Sequence, residues 1–322
     1  MPYWEIVTRS FRIAWDHKYL WLIALFSGEA GGFSFSYSQG TSQTTDVATA
    51  QQRVTTWLSD HAGLVFGIGV VWLVVVIAFF ILAAVCEGAT VRASAEHDAG
   101  RPFGLRQAWT MGVHTMWVVV RFRLLLFLIY LPLIVLVFVW VLALIFAIAG
   151  QNGGAAAILA LSGLVLLLLF LVYATYVFFL DRFGSRAVIL EERKAIPAIA
   201  RANSLLFKRF GRALLVWLLS LAVAFVIGIL LLCVSALLVV PLFVAITAAG
   251  SSGSPVVWVA LVVAVIVLLP VYVVINGFLG AQSSTYWTLA FRRLDVDYPP
   301  PAYGYPSPAI PPAPPPPPPP PT

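Results

Sequence analysis

Long uninterrupted apolar stretches dominate the chain and predict membrane-spanning α-helices. Residues 63–85 contain no charged side chain, and about 20 apolar residues are enough for a helix to cross a bilayer. Two further stretches, 124–180 and 213–291, lack Asp, Glu, Lys and Arg for 57 and 79 residues. Each is long enough for two crossings, and the sequences GQNGG and GSSGSP inside them are typical of turns.

This pattern predicts an all-α integral membrane protein with about six transmembrane helices. The predicted spans cover residues 13–35, 63–85, 124–149, 155–180, 213–247 and 256–280. An outer polar loop over 34–60 and inner polar connections over 87–117 and 181–212 join them. The fifth stretch is longer than a bilayer core, so it must tilt, bend or break, with Pro241 as the natural place; Pro270 interrupts the sixth.

The first apolar segment leaves three alternatives open. Only nine apolar residues, 19–27, precede a Gly-rich stretch, so a crossing needs extension back through Ile13 or forward through Phe35. The basic residues in front of it are also typical of a secretory signal peptide. A full span, a re-entrant segment and a signal peptide all fit this pattern.

The end of the chain has a different composition from the rest. Residues 299–322 are almost pure proline and predict a disordered tail of polyproline II character, after a membrane domain over 1–298. Such a tail either docks in an aromatic groove of a protein partner or acts as a stiff spacer. Both interpretations stay open.

Composition excludes an ordinary water-soluble domain. The chain is 61% hydrophobic and 10% charged, whereas soluble domains carry about 25% charged residues. Cys86 lies at the end of one apolar segment and Cys233 in the middle of another, which does not suggest a disulfide framework, and we expect both to be reduced.

The basic residues predict the orientation in the membrane. When the predicted connections are assigned alternately to two sides, all Lys and Arg residues except Arg53 fall on one side. The positive-inside rule places that side in the cytoplasm, together with both chain termini, and predicts a multi-pass protein of the plasma membrane. The net charge of +6 therefore reflects orientation rather than nucleic-acid binding.

No pattern of residues indicates catalysis or a cofactor. The acidic residues lie outside the apolar segments, which disfavours an ion-coupled transporter, because such proteins commonly place ionisable groups at membrane depth. The sequence contains no nucleophile motif, phosphate-binding loop or metal-ligand spacing. Residues 96–98, Glu-His-Asp, are expected to be solvated. We therefore expect no enzyme activity, no cofactor and no metal.

Small residues mark two predicted helix-packing faces. Gly63 and Gly67 form a GxxxG pair, and Ser220, Ala224 and Gly228 recur every four residues. Such spacing lets helix backbones approach closely in a membrane. Packing within the chain is the default expectation, and oligomerisation is the alternative.

Residues 195–212 predict an amphipathic helix along the inner membrane interface. One face is apolar, and Arg201, Lys208 and Arg212 line another. The apolar face consists of Ile199, Ala202, Leu206, Phe210 and Ala213. A basic stripe at this position attracts anionic lipid headgroups. Simple anchoring of the topology is the alternative use.

Three segments share a pattern in which a basic, aromatic-bearing amphipathic stretch leads into an apolar one. They begin at Arg9, Gly104 and Ala198. This repetition suggests three units, each an interfacial helix followed by two spans.

Three sequences carry a resemblance to a known group: HKYLWLIALFSG, ARANSLLFKRFGRALL and STYWTLAFRRLD. On these the chain resembles uncharacterised bacterial multi-pass membrane proteins related to the glycerophosphoryl diester phosphodiesterase membrane-domain family. The phosphodiesterase activity of that family belongs to a separate soluble domain, which this sequence lacks. The resemblance therefore implies a membrane scaffold or regulatory module and supplies no catalytic residues.

These observations favour a non-enzymatic scaffold or regulatory protein of the plasma membrane. Its expected partners are the lipid bilayer, anionic headgroups and a protein that binds the proline-rich tail, with no nucleic acid and with oligomers allowed. A permease for a small solute, not ion-coupled, is the alternative, because Pro241 and Pro270 suit a discontinuous-helix site.

Overall fold

The computed structural model describes residues 3–27, 55–57, 59–150, 153–250 and 255–294, and the regular elements in these ranges are α-helices. The principal helices are α1 (Tyr3–Asp16), α2 (Tyr19–Phe26), α3 (Ala62–Asp98), α4 (Leu105–Ala149), α5 (Gly153–Leu190), α6 (Ala195–Lys208), α7 (Phe210–Gly250) and α8 (Pro255–Leu294). The Pro-rich tail and most of the outer loop over 34–60 lie outside the described residues.

Four helices are long and apolar enough to cross a membrane within the part of the chain that the structure describes. They are α3, α4, α5 and the segment Phe210–Cys233 of α7. The predicted all-helical membrane protein is therefore confirmed, and α4 and α5 pack side by side as the predicted hairpin. The sixth predicted segment, 256–280, lies within α8, and the total of six spans stays a prediction.

The predicted inner connections are shorter than expected, because the long helices continue into them. α3 extends to Asp98, α4 already begins at Leu105, and α5 extends to Leu190. Most of the polar sequence predicted as connections 87–117 and 181–212 is therefore helical. The physical reason is that many of these polar side chains are buried between helices, where intrahelical bonds satisfy the backbone.

The predicted breaks at proline are absent. α7 runs through Pro241 and α8 through Pro270 as continuous helices. A proline removes only one backbone donor, and helices in lipid keep their remaining hydrogen bonds because no water is there to replace them. The expectation of a discontinuous helix at these two positions was wrong.

The first predicted span is not one continuous helix in its described part. α1 ends at Asp16 and α2 begins at Tyr19, while residues 28–35 lie outside the described ranges. α1 is strongly amphipathic, and its apolar face packs on α8. The indole of Trp21 donates a 2.6 Å hydrogen bond to the Ala14 carbonyl across the break, and this bond ties the start of α2 to the end of α1.

The three predicted units also differ from each other. The first has a break at His17 and the third has one at Arg209, but the second is a single helix, α4, of 45 residues. A separate interfacial helix is therefore absent from the second unit. The reason is packing, since α4 lies against α3 along the segment that was expected to lie on the membrane surface.

The buried core lies at one end of the bundle. It is built from the C-terminal parts of α3, α5 and α8 together with α1, α2 and α6. By contrast, the apolar residues near the N-terminus of α3 and the C-terminus of α4 are mostly exposed, as expected for a surface that faces lipid. We call the end formed by residues 86–98, 181–194 and 281–294 the charged end.

Candidate functional site

The charged end holds ionisable side chains that are almost completely buried. Glu87, Arg92 and Glu96 are each 5% exposed or less, and Arg186 is fully buried. A buried charge is costly unless it is paired and hydrogen-bonded. The contacts of these residues therefore decide what holds this end together.

Asp98 joins three helices. Its carboxylate forms an ion pair with Arg9 of α1, whose Nε lies 2.7 Å away, and accepts a hydrogen bond from an Arg292 guanidinium nitrogen of α8 at 2.6 Å. The two arginines also donate to backbone carbonyls of α3, Arg9 to Asp98 and Arg292 to Ala95. The last turn of α3 is thus tied to both neighbours, and the arginine charges lie beside the negative end of its helix dipole.

Glu96 and Glu191 pair with the polar connections on the same side. Glu96 forms an ion pair with Arg101, just beyond the end of α3, whose Nε lies 2.9 Å from the carboxylate. Glu191, after α5, pairs with Arg193 and lies 3.5 Å from Arg201 Nε of α6. Arg201 is therefore partly engaged within the protein, at 22% side-chain exposure.

Another ion pair lies close to the predicted membrane span of α3. Glu87 forms an ion pair with Arg123 of α4 at 2.6 Å, and Arg123 donates a hydrogen bond to the Ser27 carbonyl at 3.1 Å. Glu87 is two residues beyond the charge-free stretch 63–85. This contact fixes the end of α2 beside α3 and α4.

Neutral polar side chains fill the seam between α1, α3 and α8. Gln282 donates to the Ser10 hydroxyl at 3.3 Å, and the hydroxyls of Ser94 and Thr285 lie 2.9 Å apart. All four side chains are buried. Such hydrogen bonds contribute about 0.6 to 2 kcal/mol each between membrane helices, so the seam adds specificity to helix packing.

Two histidines meet at the edge of the charged end. The rings of His17 and His97 stack with centroids 3.5 Å apart, and the Tyr19 hydroxyl oxygen lies 2.6 Å from His97 Nε2. His97 lies 12 residues beyond the charge-free stretch of α3, about 18 Å along the helix. Its partial burial, and then the charge of His17, lower the pKa of His97 to about 4. The expectation that His97 is a solvated loop residue was wrong.

The predicted amphipathic helix is two helices. α6 ends at Lys208, and α7 starts at Phe210. Ala202, Leu206 and Ala213 are buried as expected, whereas Phe210 is 53% exposed. The interruption at Arg209 turns Phe210 away from the buried face.

Lys208 and Arg212 lie on the exposed side of this junction. No carboxylate pairs with either of them in the described part of the chain. Phe207, at 66% exposure, and Phe210 are beside them in the sequence. We call Phe207, Lys208, Phe210 and Arg212 the basic surface.

The two predicted helix-packing faces differ in their surroundings. A methyl group built on Gly63 or Gly67 has no described atom of another helix within 4 Å, so this pair does not pack within the described protein. Ser220, Ala224 and Gly228 line a cavity of about 260 Å³ between α7 and α8. Use of either face in oligomerisation stays a prediction.

A close helix contact lies between glycines that the sequence analysis did not identify. α3 and α4 cross where Gly88 meets Gly112, and a methyl group built on Gly112 would lie 2.3 Å from the Val85 carbonyl oxygen. Neither glycine has another glycine four residues away in its helix, so its role becomes visible only when the two helices are placed together.

The described residues contain no group of three or more His, Cys, Asp and Glu side chains arranged to hold a metal ion. Their charges instead form ion pairs that connect α3 to α1, α4 and α8, and α6 to Glu191 in the connection after α5. The ion pairs thus hold several helices together at the charged end, and the apolar helix segments extend from that end.

Comparison with known proteins gives one family. No curated protein and no solved structure matches the chain. The resemblance to the glycerophosphoryl diester phosphodiesterase membrane-domain family stays a prediction. The model of a family of unknown function, DUF7544, matches residues 7–289, from within α1 to within α8. The chain therefore belongs to the DUF7544 family, a family of unknown function.

Proposed function

We propose that this protein is a non-enzymatic scaffold or regulatory protein of the plasma membrane that engages anionic lipid through the basic surface. The supporting observation is that Lys208 and Arg212 are exposed beside two exposed phenylalanines, with no described carboxylate paired to them. Cations next to exposed aromatic rings are typical of segments that lie in the headgroup region.

Several other arginines near the charged end differ from Lys208 and Arg212 because they have carboxylate partners, and this difference supports the assignment. Arg9, Arg101, Arg123 and Arg292 all pair with carboxylates of α3. Their charge is therefore largely neutralised within the protein, whereas the charge of the basic surface is available to an external anion. At about 1 kcal/mol for each Lys or Arg near an anionic surface, Lys208 and Arg212 together favour anionic lipid by about 2 kcal/mol.

The arrangement of helix ends supports the proposed orientation, with both termini in the cytoplasm. Ser27 lies beside Arg123, which pairs with Glu87, whereas α3 begins at Ala62. Glu87 and Ala62 are 25 residues apart along α3, which corresponds to about 37 Å. A bilayer core is about 30 Å thick. The end of α2 and the start of α3 therefore lie at levels about a membrane thickness apart, which supports the proposal of a crossing before α3.

The experiment compares lipid retention by two double variants. In one, Lys208→Gln and Arg212→Gln remove the charge of the basic surface; in the control, Arg12→Gln and Lys18→Gln remove two exposed charges near the N-terminus. Native mass spectrometry of the full chain, released from nanodiscs containing equal phosphatidylglycerol and phosphatidylcholine, measures the ratio of bound lipids. We expect the first variant to lower the preference for phosphatidylglycerol by about 30-fold and the control to change it much less. Equal losses in both variants would mean that net charge alone attracts the lipid.

The scaffold part of the proposal concerns the proline-rich tail. Polyproline II segments bind aromatic grooves of other proteins, and residues 299–322 have the required composition. Affinity purification of the full chain and of a chain ending at residue 298 tests this role. A protein retained only by the full chain supports it, and identical sets of retained proteins would contradict it.

A permease is the second candidate, favoured by the cavity between α7 and α8. Its lining combines apolar residues with Ser220, Gln282, Ser283 and Tyr286. At the charged end, Tyr286 donates to the Val216 carbonyl at 2.7 Å, which ties α8 to α7 there. Solute uptake into proteoliposomes that is abolished by Gly228→Leu, which fills the cavity, would favour the permease over the scaffold.

A further inference from the structure

A second large cavity lies between α2, α3 and α4, outside the surfaces described above. Its volume is about 630 Å³, within the range of roughly 300 to 1,000 Å³ typical of ligand pockets. Ile23 and Cys86 form its buried floor, and Leu82 and Phe26 line its sides. The cavity is therefore an apolar groove that opens on the outside of the bundle.

One end of the groove is polar and basic. Arg106 and Thr110, in the first two turns of α4, line it together with Trp109. Arg106 is exposed and has no carboxylate partner in the described residues. The positive end of the α4 dipole adds to the charge of the guanidinium group. An anionic group is therefore favoured at this end.

The two ends of the groove lie at different depths in the proposed membrane. Leu82 belongs to the charge-free stretch of α3. The other end lies at the charged end, because Tyr19, the first residue of α2, contacts both His97 and the Phe103 carbonyl just before α4. The groove thus runs from the level of headgroups into the level of acyl chains, and Trp109, 45% exposed, lies where interfacial tryptophans commonly occur.

We infer that this groove binds one acyl chain of an anionic phospholipid, with its headgroup at Arg106. Charge complementarity selects the headgroup, and the apolar floor and sides replace the neighbouring lipids around the chain. The inference rests on the membrane-embedded arrangement proposed above but uses a different surface from Lys208 and Arg212, so either lipid contact can fail without the other.

The test uses phosphatidylglycerol with a photoreactive diazirine near the end of one acyl chain, and the matching phosphatidylcholine. The full chain is reconstituted in phosphatidylcholine nanodiscs, and labelled peptides are mapped by mass spectrometry. We expect phosphatidylglycerol to label α2 and residues 82–86 of α3. Arg106→Gln is expected to lower this labelling by about fivefold, whereas Arg12→Gln, an exposed basic residue on α1, leaves it unchanged.

A second variant tests the groove itself. Leu82→Trp fills it from the partly exposed side, and we expect loss of labelling in α2 with an unchanged helical circular dichroism spectrum. Equal labelling by the two lipids, or labelling insensitive to both Arg106→Gln and Leu82→Trp, would overturn the inference.

Two other occupants are outcomes that would also overturn it. A disulfide between Cys86 and Gly32→Cys, in a chain that carries Cys233→Ser, would mean that the segment after α2 fills the groove. An intermolecular cross-link through Thr110→Cys, in a chain that also lacks Cys86 and Cys233, would mean that a second copy of the chain covers it.

Discussion

Replacement of Asp98 by Asn tests the ion pairs of the charged end. Asp98→Asn keeps the shape of the side chain but removes the charge that faces Arg9 at 2.7 Å and Arg292 at 2.6 Å. Asp98 is only 13% exposed, whereas the two arginines are 41% and 26% exposed. The variant therefore leaves two cations beside a buried neutral amide.

The size of the effect follows from these exposures. A hydrogen bond to a charged group contributes about 1.5 to 3 kcal/mol when buried, and an exposed ion pair contributes about 0 to 1 kcal/mol. Because both arginines are partly exposed, we place each contact near 1 kcal/mol and the pair near 2 kcal/mol. Opening of α1 breaks only the Arg9 contact, so this local opening becomes about fivefold more frequent.

Hydrogen exchange measured by mass spectrometry in detergent or nanodiscs detects this opening. We expect faster exchange in the peptide containing residues 3–16 and unchanged exchange in the C-terminal part of α4. Asp16→Asn is the control, because Asp16 is exposed at the end of α1 and has no ion-pair partner in the described residues. Unchanged exchange in α1, or an equal increase in the control, would refute the assigned role of Asp98.

Two further predictions concern the crossing of α3 with α4 and the pH dependence of stability. Gly112→Ala should destabilise the protein by about 1 to 3 kcal/mol in SDS unfolding, because its methyl group would lie 2.3 Å from the Val85 carbonyl oxygen. The control, Gly67→Ala, places its methyl group in open space and should be neutral. Equal effects of the two substitutions would contradict the assigned crossing. The folded-state pKa of His97 is about 4 against an ordinary value of 6.5, so the unfolded chain binds more protons between these pH values. Stability from this residue is complete above pH 6.5 and is lost as the pH falls towards 4. His97→Phe should flatten the change in SDS midpoint over this window, whereas His61→Phe should preserve it.

The sequence predicted the membrane helices because apolar length is a local property. Residues 63–85, 124–149 and 155–180 all lie within helices that are long and apolar enough to span. The end of α4 at Ala149 and the start of α5 at Gly153 were also predictable, since Gly and Asn residues interrupt an otherwise continuous apolar stretch. None of these predictions required knowledge of which helices are neighbours.

The polar parts of the long helices could not be predicted in the same way. Glu87, Arg92 and Glu96 were interpreted as part of a connection because charge usually marks solvent exposure. They are buried because their partners come from distant parts of the chain, such as Arg123 for Glu87 and Glu192 for Arg92. Such pairing depends on the tertiary arrangement and leaves no local pattern.

The same limit applies to the close helix crossing. Gly63 and Gly67 have the expected spacing but lie in open space, whereas Gly88 and Gly112 make the contact without any motif. A packing motif describes one helix, but a crossing needs a small residue on each of two helices at the same level. Which small residues of two helices lie at the same level is known only from the fold.

Lipid contact by the basic surface requires that the charged end lies wholly on one face of the membrane. Topology reporters inserted at Gly100, between α3 and α4, and at Lys194, between α5 and α6, should both report the cytoplasm. A reporter at Gly150, after α4, should report the opposite side. A cytoplasmic signal at Gly150 together with Gly100 would contradict the proposed arrangement, because α4 would then not cross the membrane.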